Sequence, residues 1–211
     1  MKKSPNGLFM GMRLKTKGEQ TRQRIVAKAA DLFNTNGYEG ISMSDVMEAT
    51  GLEKGGLYRH FASKEELAAE AFDYAWTVAF EARQYNLADH KDAVDKLKQF
   101  LANFVDRRPD LCGGCPLLNT AVNADDGNKV LRDRVRIALR KWRDMLSRIV
   151  RDGLSHGQIR PGTDPCALAD LIISCLEGAL MISRLERSDK ALRNARAHLD
   201  AHLDAHVRLA A

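Results

Sequence analysis

The sequence predicts an all-α fold of about nine helices, with an N-terminal three-helix domain built around a helix-turn-helix and a larger C-terminal helical domain. Two observations predict it. From Glu19 onward, apolar residues recur almost without interruption at the three- and four-residue spacing of a buried helix face, and no segment alternates as a half-buried strand does. Between Ser42 and Leu67, signals that start and stop helices follow one another at intervals that suit only short helices.

The N-terminal residues 1–18 contain one proline, three glycines and no acidic residue, and they show no periodicity. This composition predicts a disordered basic arm, of the kind that can lie along the minor groove of DNA. The internal methionines Met10 and Met12 leave a later translation start open as the alternative. The first helix is predicted over residues 19–36, where Asn36 and Gly37 end an apolar stripe that includes Ile25 and Phe33.

The segment SMSDVMEATGLEKGGLYRHFASKEEL, residues 42–67, carries the strongest signals. Ser42 with Asp45 has the spacing of a capping box, and Gly51 supplies the left-handed residue that ends a helix. A second helix of about two turns must follow, because Ser63 with Glu66 opens a third. Two short helices joined by a glycine turn form a helix-turn-helix, whose second helix enters the major groove of DNA.

The remaining helices are predicted from apolar stripes and from the residues that interrupt them. One runs from Ser63 to about residue 85, and the next ends before Pro109. A short helix over residues 117–123 and a long one over 129–153 follow the sequence LCGGCP. Pro165 suits the first turn of a helix that reaches about residue 187, and a last helix runs from residue 188 or 189 to the C-terminus.

The excess positive charge is confined to the segment that contains the helix-turn-helix. The chain has a net charge of +5, and residues 1–64 hold 11 Lys and Arg against 6 Asp and Glu, whereas the remaining residues are balanced. This division favours a polyanion-binding module joined to a neutral one, with chance asymmetry as the alternative. An apolar content of 45% indicates an ordinary globular protein. Without an apolar run near roughly 18 residues or a secretory signal, we expect a cytoplasmic protein that does not associate with a membrane.

The sequence TGLEKGGLYRHFASKEEL, preceded by LFNTNGYEGISMSDV, resembles the N-terminal DNA-binding domain of the TetR family of transcriptional regulators. Glu53 and Gly56 depart from the residues frequent in that family. The resemblance implies a homodimer that binds a palindromic operator in double-stranded DNA and is released by an unknown small molecule. It divides the chain into the arm (1–18), the DNA-binding domain (19–65) and an effector-binding and dimerisation domain (66–211).

The predicted DNA contacts come from the two short helices and from the start of the helix that follows. Lys54, Gly55 and Gly56 begin the recognition helix, where backbone amides and a lysine favour a phosphate. Similar positions to Tyr58 and His60 in the family touch the operator, whereas Leu57 and Phe61 are expected in the core. Arg59 reaches DNA or pairs with Glu53. The full set of predicted contacts is Ser42, Ser44, Lys54, Gly55, Gly56, Tyr58, Arg59, His60 and Lys64.

The pair Cys112 and Cys115 is the feature that invites another function. A C-x-x-C sequence can be a redox dithiol or half of a zinc site, but the chain has neither the βαβ setting of the first nor a second cysteine pair for the second. Buried structural cysteines are the main interpretation. A thiol or electrophile sensor of the same fold is the alternative, and a redox enzyme is a more distant one.

Two further sets are predicted in the C-terminal domain. The candidates for the lining of an effector pocket are aromatic, leucine and methionine residues: Trp76, Phe80, Phe100, Phe104, Leu118, Trp142, Met145 and Met181. The resemblance implies that the last two helices form a four-helix bundle between subunits, and the expected interface is Leu168, Leu171, Ile172, Cys175, Ala179, Ile182, Leu199 and Leu203.

Catalytic and metal chemistry find little support in the sequence. No nucleophile, base and orienting group stand together, so we expect no enzyme activity and no cofactor. His198, His202 and His206 repeat every four residues, and such a stripe can chelate a metal. Because they flank Leu199 and Leu203, the polar edge of a packed helix is the preferred interpretation, and we expect no metal. The predicted function is therefore that of a ligand-responsive DNA-binding regulator.

Overall fold

The computed structural model describes residues 16–107, 109–124 and 127–209, which form nine α-helices. The helices are α1 (Lys17–Asn36), α2 (Met43–Thr50), α3 (Lys54–Tyr58), α4 (Lys64–Arg83), α5 (Ala93–Asp106), α6 (Pro116–Ala124), α7 (Lys129–Ser155), α8 (Pro165–Leu185) and α9 (Lys190–His202). A π-helical turn, Leu203–Val207, continues α9. The predicted all-α fold is confirmed, since the described ranges contain no strand and only an isolated bridge, between Ile159 and Arg208.

The first helix begins two residues earlier than the sequence predicts. The Thr16 hydroxyl accepts a hydrogen bond from the backbone N–H of Glu19, and the Glu19 carboxylate accepts one from that of Thr16. This reciprocal capping box satisfies two N–H groups that have no partner inside the helix. Residues 1–15 of the predicted basic arm, including Met10 and Met12, lie outside the described residues.

The capping signals of the helix-turn-helix are found as predicted at α2 and in part at α4. Ser42 and Asp45 form the complete box, and Gly51 ends α2 with a φ of 66°. At α4 the Ser63 hydroxyl accepts from the N–H of Glu66, but the Glu66 carboxylate accepts from the N–H of Ala62 instead. The second box is therefore only half formed, although the helix begins where it predicts.

Helix α4 is shared by two hydrophobic cores. Its Leu67, Ala71 and Ala75 pack with α1, α2 and the α3 region in an N-terminal core that includes Phe61. Its residues Phe72 and Trp76, in contrast, belong to the larger C-terminal core. At 1.5 Å per residue, its 20 residues span about 30 Å. A boundary between residues 65 and 66 thus falls in the first turn of an element that belongs to both domains.

Helix α8 corrects one expectation from the sequence. By length and composition it could cross a bilayer, whereas the sequence was expected to contain no apolar run of that length. Within its most apolar 18-residue window, 44% is buried inside the protein. It packs against α7 and α9. Its Glu177 is buried and lies 3.8 Å from the guanidinium of Arg83. A core helix of a globular domain passes the same test of length and composition, and the packing of α8 fits that explanation.

Candidate nucleic-acid interface and interior cavity

The short helix α3 is exposed on one side and anchored on the other. Leu57 and Phe61 are both completely buried in the N-terminal core, as predicted. Tyr58, between them in sequence, is 44% exposed. Because α3 has only five residues and its N-cap Glu53 makes no side-chain capping bond, its conformation depends on these two buried anchors.

The predicted DNA contacts all lie on the continuous segment from residue 42 to residue 64. Six of them are exposed, namely Ser42, Ser44, Lys54, Gly55, Tyr58 and Arg59, and three are half-buried, namely Gly56, His60 and Lys64. The Ser42 hydroxyl is committed to the cap of α2, where it also donates to the Asp45 carboxylate at 2.8 Å. That leaves Ser44 as the freer hydroxyl at this helix terminus.

Lys64, the first residue of α4, has a defined position. Its Nζ lies 4.1 Å from the centroid of the Tyr38 ring, in cation–π contact. Tyr38 is itself half-buried between α1 and α2, and burial raises the pKa of its phenol. The ring holds the ammonium group beside the N-terminus of α4, where helix-terminal N–H groups also favour an anion.

Arg22 of α1 contacts both Phe61, which follows α3, and acidic residues of α4. Its guanidinium lies 4.2 Å from the centroid of the Phe61 ring and donates to the Glu70 carboxylate, with one bond of 2.7 Å. Glu66 lies 3.5 Å from the same guanidinium. The hydrogen bond to Arg22 lowers the pKa of Glu70. No role was predicted for Arg22 from the sequence.

An interior cavity of about 460 Å³ lies in the C-terminal domain, and a larger but more open groove of about 830 Å³ runs between α1 and α4. We call the first of these the main cavity. Among the residues that the structure describes, four arginines line it: Arg83 from α4, Arg107 after α5, Arg184 from α8 and Arg187 just beyond α8. Its apolar wall is formed by Ala79, Phe104, Leu111, Leu180 and Leu192. Asp189 is the acidic residue of the lining.

Arg83 is the most deeply placed of these arginines, with only 8% of its side chain exposed. Its guanidinium carbon lies 4.5 Å from the centroid of a Trp142 ring and 4.6 Å from that of Phe104. Nη2 donates to the Cys115 sulfur at 3.2 Å, and Nη1 has no hydrogen-bond partner among the described residues. Among the same described residues, neither carboxylate oxygen of Glu177 has a hydrogen-bond partner, and burial raises the pKa of the Glu177 carboxyl group.

The eight predicted pocket residues are mostly core. Phe104 lines the main cavity. Leu118 and Met181 line a smaller depression next to it, whereas Phe80 and Met145 pack half-buried against the core. Trp76, Phe100 and Trp142 are buried in an aromatic cluster with Phe104. The cavity arginines were not predicted, because an arginine in a helical sequence pattern is usually a solvated surface residue.

The loop of residues 109–115 connects this cavity with the N-terminal domain. Leu111, Gly114 and Cys115 line the cavity, and the Asn34 side chain at the end of α1 donates to the carbonyl oxygens of Cys112 and Gly114 at 2.5 and 3.1 Å. The N–H of Cys112 donates to the Asp31 carboxylate at 3.0 Å.

Asn119 of α6 completes this connection. Its side-chain amide donates to the backbone and side-chain oxygens of Asn34 and to the carbonyl of Gly113. We call Asn34, Asn119 and the Gly113–Gly114 turn the interdomain latch. Both glycines have a φ near +90°, and a Cβ on Gly113 would lie 2.5 Å from the Asn34 carbonyl oxygen. The two glycines and Asn119 of the sequence GGCPLLN, residues 113–119, therefore form the C-terminal half of the latch.

The two cysteines of the CGGC sequence occupy different surroundings. Cys112 is exposed and Cys115 is buried, and both are free thiols. Burial raises the pKa of the Cys115 thiol to about 11. Because the thiolate is the reactive species, Cys115 has the properties of an inert structural cysteine rather than those of a sensor.

The apolar face expected at a dimer interface is only partly available. Of the predicted residues, five are buried in the core of their own protomer: Leu168, Ile172, Ala179, Leu199 and Leu203. Cys175 is half-buried, whereas Leu171 and Ile182 are exposed. Met181 and Leu185, at 51% and 79% exposed, extend the same face of α8.

The histidine stripe of α9 brings two rings together. His202 and His206 have ring centroids 5.3 Å apart, while Leu199 and Leu203 are buried beside them. In the part of the chain that the structure describes, no group of three or more His, Cys, Asp or Glu side chains is placed to hold a metal ion.

Comparison with known families gives two matches along the chain. Residues 25–71 match the family model for bacterial regulatory proteins of the tetR family, and residues 93–199 match the model for a tetracyclin repressor-like C-terminal domain. The first match covers α2, α3 and most of α1. The second includes the latch loop and most of the cavity lining.

Solved structures and curated proteins give the same result over most of the chain. A TetR transcriptional regulator from Chloroflexus aurantiacus J-10-FL is 49% identical, with a TM-score of 0.88 over 92% of this chain and 99% of that one. A TetR-family regulator from Cytophaga hutchinsonii is 30% identical, with a TM-score of 0.86 over 94% and 100%. The transcriptional repressor DhaR of Mycobacterium sp. (strain GP1) is 26% identical over 172 residues, 81% of this chain and 86% of that protein.

Proposed function

The chain belongs to the TetR family of bacterial transcriptional regulators, and from this premise we propose that it is a homodimeric repressor that binds a palindromic operator and is released by a small molecule. The regulator DhaR, which it resembles, is named a repressor. A protein of this kind acts on DNA in the cytoplasm and needs no catalytic site.

The observation that carries the proposal is the exposed helix α3 within the segment that matches the family. Lys54 and Tyr58 face solvent, while Leu57 and Phe61 hold the helix from behind. A recognition helix must present side chains to base edges and phosphates without deforming, and buried anchors supply that rigidity. Lys64 adds a phosphate contact at the start of α4.

The exposed face of α8 supports dimerisation. Leu171, Met181, Ile182 and Leu185 are all more than 40% exposed, although large apolar side chains normally avoid water. A second copy packed on this face would bury them. The two recognition helices of such a dimer must lie about 34–36 Å apart to occupy successive major grooves, and the two-fold symmetry of the dimer calls for a palindromic operator.

Two connections support coupling between the cavity and DNA binding. Helix α4 lines the cavity at Ala79 and Arg83 and carries Lys64 at its other end. The latch joins the loop at the cavity wall to α1 through Asn34. A ligand that fits one arrangement of these elements better than the other shifts the equilibrium between them, and equal fit would shift nothing.

The proposal is tested by selecting DNA that the purified full-length protein binds from a random-sequence pool. We expect enrichment of a palindrome with half-sites about one helical turn apart, bound by two copies of the chain and weakened by salt. A reporter gene placed behind that operator should be silenced by the protein. Binding without sequence preference, or activation of the reporter, would contradict the proposal.

A further inference from the structure

We propose that the main cavity is an anion-binding site and that the effector is an amphipathic organic anion, with an acidic head group and an apolar body. The proposal rests on the proposed function only in naming this ligand the effector. The binding site itself is inferred from the charge, the burial and the shape of the cavity.

The charge of the cavity is the first argument. Arg83, Arg107, Arg184 and Arg187 line it, against Asp189 as the acidic member of the lining. Arginine remains protonated at any physiological pH, so these four charges cannot be removed by titration. A cavity with low-dielectric walls concentrates such a field, and it therefore attracts anions and repels cations.

The state of Arg83 is the second argument, and it is independent of the first. A buried guanidinium needs acceptors for its five N–H donors, and its Nη1 finds none among the described residues. Its neighbour Glu177 lies at 3.8 Å, within ion-pair distance but without forming a hydrogen bond. An oxyanion at the cavity wall can satisfy donors that the protein leaves unmet.

The aromatic rings around Arg83 fix its direction. The Trp142 and Phe104 rings, whose centroids lie 6.0 Å apart, both contact the guanidinium, at 4.5 and 4.6 Å from its carbon. The guanidinium donates through Nη2 to Cys115 and keeps the N–H groups of Nη1 available for an oxygen of a carboxylate or phosphate. It also occupies the ring faces that would otherwise attract a cationic ligand.

The apolar wall determines the rest of the ligand. Phe104, Leu111, Leu180 and Leu192 face a cavity of about 460 Å³, which is within the usual range for small-molecule sites. A simple inorganic anion would leave this wall uncovered. Arg184 and Arg187 are exposed, whereas Arg83 is buried, so positive charge extends from the interior of the cavity to its mouth.

The test uses three isosteric probes, 4-phenylbutyrate, 4-phenylbutanol and 4-phenylbutylamine, and a matched set of octanoate, octanol and octylamine. Binding to the full-length protein without DNA is measured by calorimetry and by tryptophan fluorescence, since Trp142 contacts Arg83. We expect each acid to bind at least tenfold more tightly than its alcohol, and the amines to bind more weakly still. Equal binding of acid and alcohol, tighter binding of an amine, or no acid binding below about 1 mM would overturn the proposal.

Three variants test whether the acids bind in the main cavity. Arg83→Lys keeps the charge beside Glu177 but loses the planar fork, and it should weaken acid binding at least tenfold while leaving alcohol binding unchanged. Arg187→Gln, at the exposed mouth, should weaken it several-fold without affecting folding. Arg193→Gln removes an exposed arginine of α9 that does not line the cavity, and it serves as the matched control. If the control loses as much affinity as Arg187→Gln, the effect is one of net charge and the site is not assigned.

Operator binding is measured separately with each acid that binds. An acid that binds without weakening the complex with DNA would leave the anion site in place and contradict its role as effector. Conversely, specific DNA binding by a protein that takes up no acid would leave the regulator in place and overturn the anion site.

Discussion

The side-chain Nδ2 of Asn119 lies 3.0 Å from both the backbone oxygen and the side-chain oxygen of Asn34, and so it joins α6 to the end of α1. These two residues are 85 positions apart in the sequence. Their contact is the polar center of the interdomain latch, and it sits beside the loop that walls the cavity.

Replacing Asn119 with alanine removes this connection and leaves the buried Asn34 with unmet hydrogen-bonding groups. An unsatisfied buried polar group costs ~1–3 kcal/mol, so we expect Asn119→Ala to lower the free energy of unfolding by about that amount. Denaturant titration measures it. Asn194→Ala, at an exposed position of α9, is the control and should change the free energy by less than ~0.5 kcal/mol. Equal effects of the two variants would show that the latch does not stabilise the fold.

Gly113→Ala should destabilise the protein for two reasons at once. The residue has a φ of +93°, and the added Cβ would lie 2.5 Å from the carbonyl oxygen of Asn34. Gly162→Ala is the matched control, because Gly162 has a φ of +87° but nothing within 4 Å of its added Cβ. Backbone strain alone costs ~1–3 kcal/mol, and thermal unfolding should show a larger loss for Gly113 than for Gly162. Equal losses would mean that the loop moves away from α1 freely.

Lys64→Ala should weaken binding to every DNA sequence to a similar degree. A phosphate contact carries no sequence information, and its loss should lower the slope of log K against log salt by about one. Fluorescence anisotropy with operator and non-operator duplexes at several salt concentrations measures both effects. Lys190→Ala, an exposed lysine at the start of α9, should leave the slope unchanged. An unchanged slope for Lys64→Ala would remove this residue from the interface.

Leu185→Asp should weaken dimerisation, because the residue is 79% exposed in the protomer and lies on the apolar face of α8. Burying an unpaired carboxylate at an interface is strongly unfavourable, whereas at an exposed position it costs the protomer little. Sedimentation velocity should find monomers at concentrations where the parent protein is dimeric. Val122→Asp, at a residue 74% exposed on α6, controls for added charge. A variant that stays dimeric would move the interface away from this face.

Cys112 should react with iodoacetamide in the native protein and Cys115 should not. The first is exposed, while the second is buried and its pKa is raised to about 11, so at pH 8 it is almost entirely protonated. Peptide mass spectrometry after timed labelling separates the two sites, and labelling in denaturant shows that both can react. Because a raised pKa delays ionisation, the labelling of Cys115 should increase as the pH rises toward 11. Rapid native labelling of Cys115 at pH 7 would revive the thiol-sensor alternative.

The local signals in the sequence predicted much of the fold. In the pairs Ser42–Asp45 and Ser63–Glu66, the two partners are three residues apart, so these helix starts depend mainly on local contacts and little on distant parts of the chain. The role of Asn34 could not be predicted in the same way, because its partners are 78 to 85 residues distant. Nor could the burial of Arg83, since only the packed helices determine which arginine is covered.

The same reasoning applies to the apolar face of α8 that was predicted at the dimer interface. An apolar stripe on α8 indicates a buried surface but does not say by which neighbour it is covered. Leu168 and Ile172 are covered by the protomer, whereas Leu171, between them, is exposed. Helical spacing places residues on faces, and tertiary packing assigns each face to a partner.

The latch also provides a sequence signature by which related proteins can be compared. An asparagine near the end of α1 is useful only when two glycines turn the loop toward it and a second asparagine follows five residues after the second glycine. These four positions should therefore be inherited or lost as a set. Relatives that keep the set are expected to transmit a signal from cavity to α1 by the same contacts, and relatives that lack it must use another route, even where their folds superpose.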